Sequence, residues 1–364
     1  MLRRVPFLAI CAALMLGGCG QSQSSTGVTA SLGAHSLPAI QPPAYVPGPL
    51  DGQSTPRALA LRRPLAVIVE NYDPDSRPQS GLGAASMVIE TLAESGITRF
   101  MAIYLEHEAS KVGPVRSTRM YFNHWASAFH TILVHVGGND DAQAELWHLP
   151  SVFNIDENRW EISLTNTGTP LFRRSSDRQA PHNMFVNTAI IRAYAARNRQ
   201  NWAYSQAYIL HKAAAPLKKR GKATTVSIGF VDPLAPQPNP GYAVQYRYDR
   251  ASNTYLRYMG GTPHVDALTG RALRPANVIV VRTGNAVADP RAGITPESIL
   301  IPTVATGPAT YFFDGKVVAG TWQQKDMYAP LRFYNRRGRQ VAFNPGQTWV
   351  EVVPRSSSFT WTAR

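Results

Sequence analysis

The chain has 364 residues, of which 37 are Lys or Arg and 23 are Asp or Glu, so its formal net charge is +14. Because 44% of the residues are hydrophobic and 16% are charged, the chain can bury enough apolar surface to offset the entropy of ordering it, and wholesale disorder is excluded. Both cysteines, Cys11 and Cys19, lie near the N-terminus. A cysteine nucleophile, a cysteine-ligated zinc ion and an intramolecular disulfide framework are therefore excluded for the rest of the chain.

The N-terminus has the pattern of a bacterial export signal. Arg3 and Arg4 precede an apolar run at 5–16, which is too short to cross a bilayer that takes about 20 residues. The following Leu16-Gly17-Gly18-Cys19 resembles the lipobox of bacterial lipoproteins, where a peptidase cuts before a cysteine that carries diacylglycerol. The alternative is a buried N-terminal helix with an incidental cysteine, but no capping residues bracket the run.

We therefore expect residues 1–18 to be a lipoprotein signal peptide and Cys19 to be the lipidation site. The protein would then be extracytoplasmic and lipid-anchored to the cell membrane, or to the outer membrane of a host that has one. Residues 19–61 are rich in Gln, Ser, Thr, Gly and Pro. This composition predicts a flexible tether with a root-mean-square span of roughly 35–40 Å.

From residue 62 to 212, strand and helix signals alternate, beginning with a wholly apolar run typical of a buried strand. Alternation of this kind predicts an α/β domain with a mixed sheet. The predicted strands cover 65–69, 99–105 and 131–136, and the predicted helices cover 83–94, 117–129, 140–147 and 188–198.

A basic segment between Lys212 and Lys222 marks the predicted domain boundary. Beyond it, from 222 to 356, turn residues separate short runs rich in Val, Tyr, Phe and Thr. The predicted strands here cover 225–230, 242–248, 254–258, 278–282, 310–313, 317–322 and 349–353. The predicted fold class is therefore α/β, with an N-terminal α/β domain followed by a β-rich C-terminal domain.

Two glutamates lie in the predicted helix at 83–94. Glu90 and Glu94 are four residues apart, so they would share one helix face, where like charges weaken a helix slightly unless a cation faces them. Arg99 is a candidate partner. The pair is either a solvated helix face or part of a paired site.

The segment Gly113-Pro114-Val115-Arg116-Ser117-Thr118-Arg119 predicts a turn that leads into a helix. Arginine at a helix start opposes the helix dipole, so an anionic partner is favourable there. With Ser117 and backbone amides, Arg116 and Arg119 could bind a carboxylate or phosphate through bidentate contacts. The alternative is an internal salt bridge from these arginines to Glu90 or Glu94.

Histidines supply further candidates. His135 ends a predicted strand before a glycine loop, where α/β sheets place ligands, although a lone histidine in a strand is more often packed. His182 and Asn183 follow a proline. Because the possible ligands are scattered along the chain, we predict no metal site and no cofactor. No role is assigned to His264 or Asp266.

Several of these charged groups lie in or beside apolar segments. Burying any one of them alone would be costly, so we expect them to meet as one network at one end of the sheet. The predicted ligand-binding residues are Arg77, Glu90, Glu94, Arg99, Arg116, Ser117, Arg119, His135, His182 and Asn183.

A family resemblance supports this organisation. Several motifs resemble the YerB family of bacterial lipoproteins. In the N-terminal part they are Arg77-Pro78-Gln79-Ser80-Gly81-Leu82, Gly113-Pro114-Val115-Arg116-Ser117, His135-Val136-Gly137-Gly138 and Ala180-Pro181-His182-Asn183, and in the C-terminal part Pro345-Gly346-Gln347-Thr348-Trp349 agrees. The resemblance implies a two-part body on a lipid anchor. It implies no activity, because the family is a domain of unknown function. This chain carries Glu70-Asn71 where family members usually carry Asp-Asn.

Two function classes follow. One is a lipid-anchored envelope protein that binds an anionic wall polymer or an envelope protein partner. The other is an enzyme that acts on an anionic envelope substrate, with Arg77, Arg116 and Arg119 as a clamp and Glu90 or Glu94 as acid or base. Nucleic acid is not an expected partner, because an exported chain has little opportunity to meet it.

We predict that Cys19→Ala abolishes lipidation, so that the protein is released from membranes in a detergent partition, because no other segment of the sequence has spanning length. A high-salt wash removes electrostatic attachment through the basic segment. Membrane retention of the variant after that wash would contradict the anchor assignment.

Overall fold

The computed structural model describes residues 43–158, 170–201, 208–222, 224–235, 237–290 and 298–363. These residues belong to one compact unit that begins at Pro43. The predicted signal peptide at 1–18, Cys19 and the tether up to 42 lie outside the described residues.

The first half of the described chain contains strands and four helices. The helices are α1 (Arg57–Ala60), α2 (Met120–Ala128), α3 (Asp140–Leu146) and α4 (Thr188–Arg197). The strands are β1 (Tyr45–Pro47), β2 (Ser54–Pro56), β3 (Leu65–Val69), β4 (Met87–Leu92), β5 (Thr98–Tyr104), β6 (Ile132–His135), β7 (Phe153–Asp156), β8 (Phe172–Arg174), β9 (Met184–Val186) and β10 (Leu210–His211).

The second half is built from strands, as its sequence predicts. They are β11 (Thr224–Gly229), β12 (Val244–Asp249), β13 (Thr254–Met259), β14 (Thr262–Pro263), β15 (Val265–Asp266), β16 (Arg271–Ala272), β17 (Asn277–Thr283), β18 (Val287–Ala288), β19 (Ile299–Leu300), β20 (Ala305–Phe313), β21 (Lys316–Gln324), β22 (Arg332–Asn335), β23 (Ala342–Phe343), β24 (Thr348–Pro354) and β25 (Ser358–Ala363). The predicted α/β architecture and β-rich C-terminal region are confirmed.

One mixed sheet of ten strands runs through both halves of the chain, in the order β22-β21-β20-β17-β24-β4-β5-β3-β6-β7. Its two halves join where β24 pairs in parallel with β4, with Glu351 opposite Glu90. On the N-terminal side, β3, β6 and β7 are parallel to one another, so their carboxyl ends meet at one edge of the sheet. The predicted domains 62–212 and 222–356 stay predictions, and they share this sheet.

A second sheet, with the order β14-β13-β12-β11-β25, is antiparallel throughout. It faces the junction between β4 and β24, because Arg257 of β13 hydrogen-bonds to both Glu90 and Glu351. The Arg257 guanidinium also lies 4.2 Å from the Trp349 ring centroid. The side chains of Arg257, Glu90 and Glu351 are all fully buried, so the pairing of the Arg257 charge with the Glu90 carboxylate offsets a large cost of removing charge from water.

The predicted helix at 83–94 is wrong. A short 3₁₀ turn (Leu82–Ala84) is followed by strand β4, whose six residues are all buried. Val88, Ile89 and Thr91 are β-branched and favour a strand, and β4 has a partner strand on each side. A helix would expose part of this segment, whereas a central strand buries it completely, so Glu90 and Glu94 do not share a helix face.

The folded body begins earlier than the predicted tether boundary at 61. Strands β1 and β2 pair with each other, and Leu50 is fully buried. The Leu50 amide donates to the Glu106 carboxylate over 2.8 Å, and the Asp51 carbonyl accepts from the Gly346 amide over 2.7 Å. These contacts tie residues 45–60 to the sheet, so only the part of the tether before Pro43 lies outside the compact unit.

Within the described ranges, no helix is long and apolar enough to span a membrane.

We predict that Arg257→Gln lowers the free energy of unfolding in urea by about 3–5 kcal/mol, because it leaves the buried Glu90 carboxylate without its counter-charge. The matched Glu351→Gln variant should lose less than about 1 kcal/mol at neutral pH, because the amide replaces a carboxyl group that is already protonated. Equal losses from the two variants would contradict this assignment of charge.

The buried Glu351, beside Glu90, makes the stability of the fold depend on pH. Burial, then the adjacent Glu90 charge, raises the pKa of Glu351 well above its ordinary value, so the folded protein keeps a proton that the unfolded chain releases above about pH 4.3. This contribution to stability is complete below that pH and is lost as pH rises. As pH rises above about 4.3, the parent should therefore lose stability that Glu351→Gln keeps, and urea titrations at a series of pH values measure this difference. Parallel pH profiles of the two proteins would contradict it.

Candidate functional site

The candidate site lies at the carboxyl ends of the parallel strands β3 and β6. The chain after Pro114 extends the sheet there, because the Arg116 amide donates to the Ile68 carbonyl over 2.9 Å and the Val136 amide donates to the Arg116 carbonyl over 3.1 Å. Such strand ends are where open α/β sheets place ligands. The backbone of Arg116 is therefore fixed at this edge, just before helix α2.

Glu70, directly after β3, holds two basic side chains. Its Oε1 lies 3.0 Å from Arg116 Nε, and its Oε2 accepts from His182 Nδ1 over 2.9 Å. Burial lowers the pKa of Arg116 and Glu70 opposes that shift, so the guanidinium stays charged at neutral pH. Both oxygens of Glu70 are thereby occupied.

The two terminal nitrogens of Arg116 make no hydrogen bond within the described part of the chain, and one third of its side chain is exposed. His182 stacks on Tyr72 with the ring centroids 4.9 Å apart, and its Nε2 lies 4.0 Å from an oxygen of Asp75. Arg116 therefore presents a planar pair of donors to solvent, suited to bidentate contact with a carboxylate or phosphate.

A second cluster joins Glu94 to Arg99 and Arg119. Arg119 pairs closely with Glu94, and Arg99 Nη2 lies 3.3 Å from the same carboxylate. Arg99 Nη1 also donates to the Ser117 carbonyl over 2.9 Å. Side-chain exposure of the two arginines is below 10%. Arg119 therefore forms the internal salt bridge that was the alternative to ligand binding, and its partner is Glu94 and not Glu90.

Arg77 and Glu90 belong to a third, buried cluster. Arg77 Nε donates to Asn71 Oδ1 over 2.9 Å and Nη1 donates to the Gly241 carbonyl over 2.8 Å. Glu90 accepts from Thr98 and from Arg257 and is fully buried. The side chain of Glu90 therefore does not reach a ligand at the surface.

His135 and Asn183 are engaged internally. The fully buried His135 ring contacts the Gly137 carbonyl and the Asn154 side chain, each at 2.7 Å. Asn183 accepts from Arg174 and donates to the carbonyls of Ser175 and Arg178. These contacts shape the loops around the site.

His264 and Asp266, to which the sequence assigns no role, are structural. Asp266 accepts from the Gly81 and Gly83 amides over 2.9 and 2.6 Å, so an internal carboxylate fills that glycine turn. Burial, with Arg257 nearby, lowers the pKa of His264 well below its ordinary value. The neutral ring accepts from Arg257 and donates to Gln79.

The sequence missed Glu70 as a member of the site, although its position directly after the buried strand was a usable signal. Among the described residues, no three His, Cys, Asp or Glu side chains are placed to hold a metal ion.

Comparison with known proteins identifies the family. Residues 50–202 match the model described as "Protein of unknown function (DUF3048) N-terminal domain", and residues 236–350 match its C-terminal domain. The chain is 30% identical over 309 residues to "Putative lipoprotein YerB" of Bacillus subtilis (strain 168), across 84% of this chain and 86% of the relative. The chain belongs to the YerB family.

The crystal structure of YerB from Bacillus subtilis is similar to this one. It superposes with a TM-score of 0.72 at 28% identity, over 86% of this chain and 99% of that chain. The YerB resemblance expected from the motifs is therefore confirmed, together with the two-part division of the family.

A cleft of about 350 Å³ elsewhere on this YerB-family fold lies between β8, β9 and α4. Lys111, Arg173 and Phe185 are among its lining residues. Neither Glu70 nor Arg116 lines this cleft, so it is separate from the strand-end site.

The structural role of the Glu94, Arg99 and Arg119 cluster can be tested by its effect on stability. We predict that Glu94→Gln lowers the free energy of unfolding by about 3–5 kcal/mol, because Arg99 and Arg119 then share no carboxylate in a nearly buried position. Urea unfolding measures the loss. A change below about 1 kcal/mol would show that water or other groups already neutralise the two arginines.

Proposed function

We propose that the protein is an exported, lipid-anchored envelope protein that binds an anionic wall polymer through Arg116. The single observation that supports the proposal is the guanidinium of Arg116. Glu70, which also holds His182, contacts its Nε, its terminal nitrogens make no hydrogen bond with a described residue, and one third of the side chain is exposed. A bidentate guanidinium binds phosphate and carboxylate groups, the two anionic groups of wall polymers. The name of the Bacillus relative supports the lipid anchor.

The contacts favour binding over catalysis. The proposed acid–base residues of the enzyme alternative are both committed, because Glu90 is buried against Arg257 and two arginines hold Glu94. Glu70 has each carboxylate oxygen on a basic partner. A general base needs an oxygen within reach of the proton that it takes.

We predict that Arg116→Gln weakens binding to purified cell walls about tenfold or more in a co-sedimentation assay, because charge-assisted contacts to the anion are lost. The exposed Arg197 of α4 provides the matched control: Arg197→Gln should bind as the parent does. Walls stripped of phosphate polymers separate phosphate from carboxylate as the recognised group.

The melting temperature decides how to interpret a loss of binding. Arg116→Gln should melt within a few degrees of the parent, as expected for a partly exposed ligand contact. A drop of more than roughly 10 °C would mark Arg116 as a structural partner of Glu70. Full wall binding by Arg116→Gln, or loss of wall binding by Arg197→Gln to the same extent, would contradict the proposal. Capture of an envelope protein, without binding to cell walls, would instead indicate a protein partner.

A further inference from the structure

An exposed tryptophan lies on the edge strand of the five-stranded sheet. Trp361 of β25 is 46% exposed, although one side of its ring packs edge-on against the buried Phe312 with centroids 6.5 Å apart. The core therefore fixes the ring while much of its surface stays in water. A large aromatic held in this way commonly marks a contact surface.

A shallow groove of about 530 Å³ adjoins the tryptophan. Val317 and Val318 of β21 line the groove and are partly buried. Arg336 and Arg337, in the turn after β22, line its side and are exposed. No carboxylate lines this groove, and neither arginine forms an ion pair with a described residue.

We propose that the Trp361 surface, formed by Val317, Val318, Arg336, Arg337 and Trp361, docks on an anionic lipid bilayer. Tryptophan is enriched where a protein meets the membrane interface, and arginine reaches lipid phosphates from the same depth. Basic side chains near an anionic leaflet attract it individually and additively. The groove is open and wide, which suits a flat lipid surface better than an enclosed small molecule.

The charge of the surface selects this occupant. A second copy of this chain, which is also strongly basic at +14, would bring like charges together. An anionic bilayer supplies both the negative charge that the two arginines lack and an apolar layer for Trp361 and the valines.

The Trp361 surface and the candidate site lie apart in the fold. Strand β21 and strand β3 are separated by six steps in the ten-stranded sheet, and each step is about 4.8 Å, which gives a distance of about 30 Å across the sheet. Lipid contact at the Trp361 surface and anion binding at Arg116 would therefore use separate parts of the protein. This inference does not depend on what Arg116 binds.

The test uses vesicles and the chain without residues 1–18, with Cys19→Ala, so that neither the signal peptide nor the lipid contributes; residues from Pro43 onward form the compact unit. Binding to phosphatidylcholine vesicles is compared with binding to mixed vesicles of phosphatidylcholine and phosphatidylglycerol by sedimentation. We expect binding to the mixed vesicles only. The double variant Arg336→Gln/Arg337→Gln should weaken it roughly 10- to 30-fold, and Trp361→Ala about tenfold.

Matched controls separate this surface from general basicity. Lys218→Gln/Lys219→Gln removes two exposed charges elsewhere, and Trp147→Ala removes a tryptophan that is 69% exposed. Each should change binding less than about threefold. Absence of binding to mixed vesicles, or equal losses in the control variants, would overturn the proposal. Binding to soluble polyphosphate that needs the two arginines but not Trp361, without vesicle binding, would overturn it in favour of a polymer site.

Discussion

The buried guanidinium of Arg257 holds the two halves of the structure together. It contacts Glu90 on β4 and Glu351 on β24, two strands from opposite ends of the sequence that pair at the centre of the sheet. Because one unpaired charge in this position would be very costly, the five-stranded sheet must cover the junction for the ten-stranded sheet to be stable. The regions matched by the two family models therefore meet in one buried electrostatic cluster.

The same cluster positions the candidate site through a closed ring of hydrogen bonds. Its members are Arg257, His264, Gln79, Asn71, Thr98 and Glu90. Gln79 also donates to the Glu70 carbonyl over 3.0 Å. The ring thus fixes the backbone at the end of β3, so Glu70 can orient Arg116 and His182 without the flexibility of a surface loop.

The sequence predicted those parts of the fold that depend on local patterns. The apolar run of β3 and the runs rich in Val, Tyr, Phe and Thr of β12, β13 and β20 are strands, as predicted. In β13, buried and partly buried residues alternate along the strand. The segment of β4 is a strand and not the predicted helix, because its partner strands on both sides determine its conformation. One of them, β24, is more than 250 residues away in the sequence. Tertiary pairing overrides local propensity in such a segment.

The candidate site was predictable only in part. The expectation of one network at one end of the sheet follows from the cost of burying charge, but the structure divides these residues among three clusters. The position of Arg116 after a glycine-proline turn made it a candidate. The choice of partners was not predictable, because Arg257 takes Glu90 and Arg99 shares Glu94 with Arg119 only through strand register and sheet packing. Glu70 orients Arg116 because the end of β3 and the segment before α2 lie side by side, an arrangement that depends on tertiary structure.

We propose that the scaffold orients Arg116 and leaves it available to an external anion. A crystal structure of the mature chain with glycerol phosphate, a small phosphate ester, tests this most directly. We expect a phosphate oxygen within about 3 Å of a terminal nitrogen of Arg116, with the Glu70 contact to Nε retained. Both terminal nitrogens turned onto Glu70, with phosphate absent or bound only elsewhere, would contradict it.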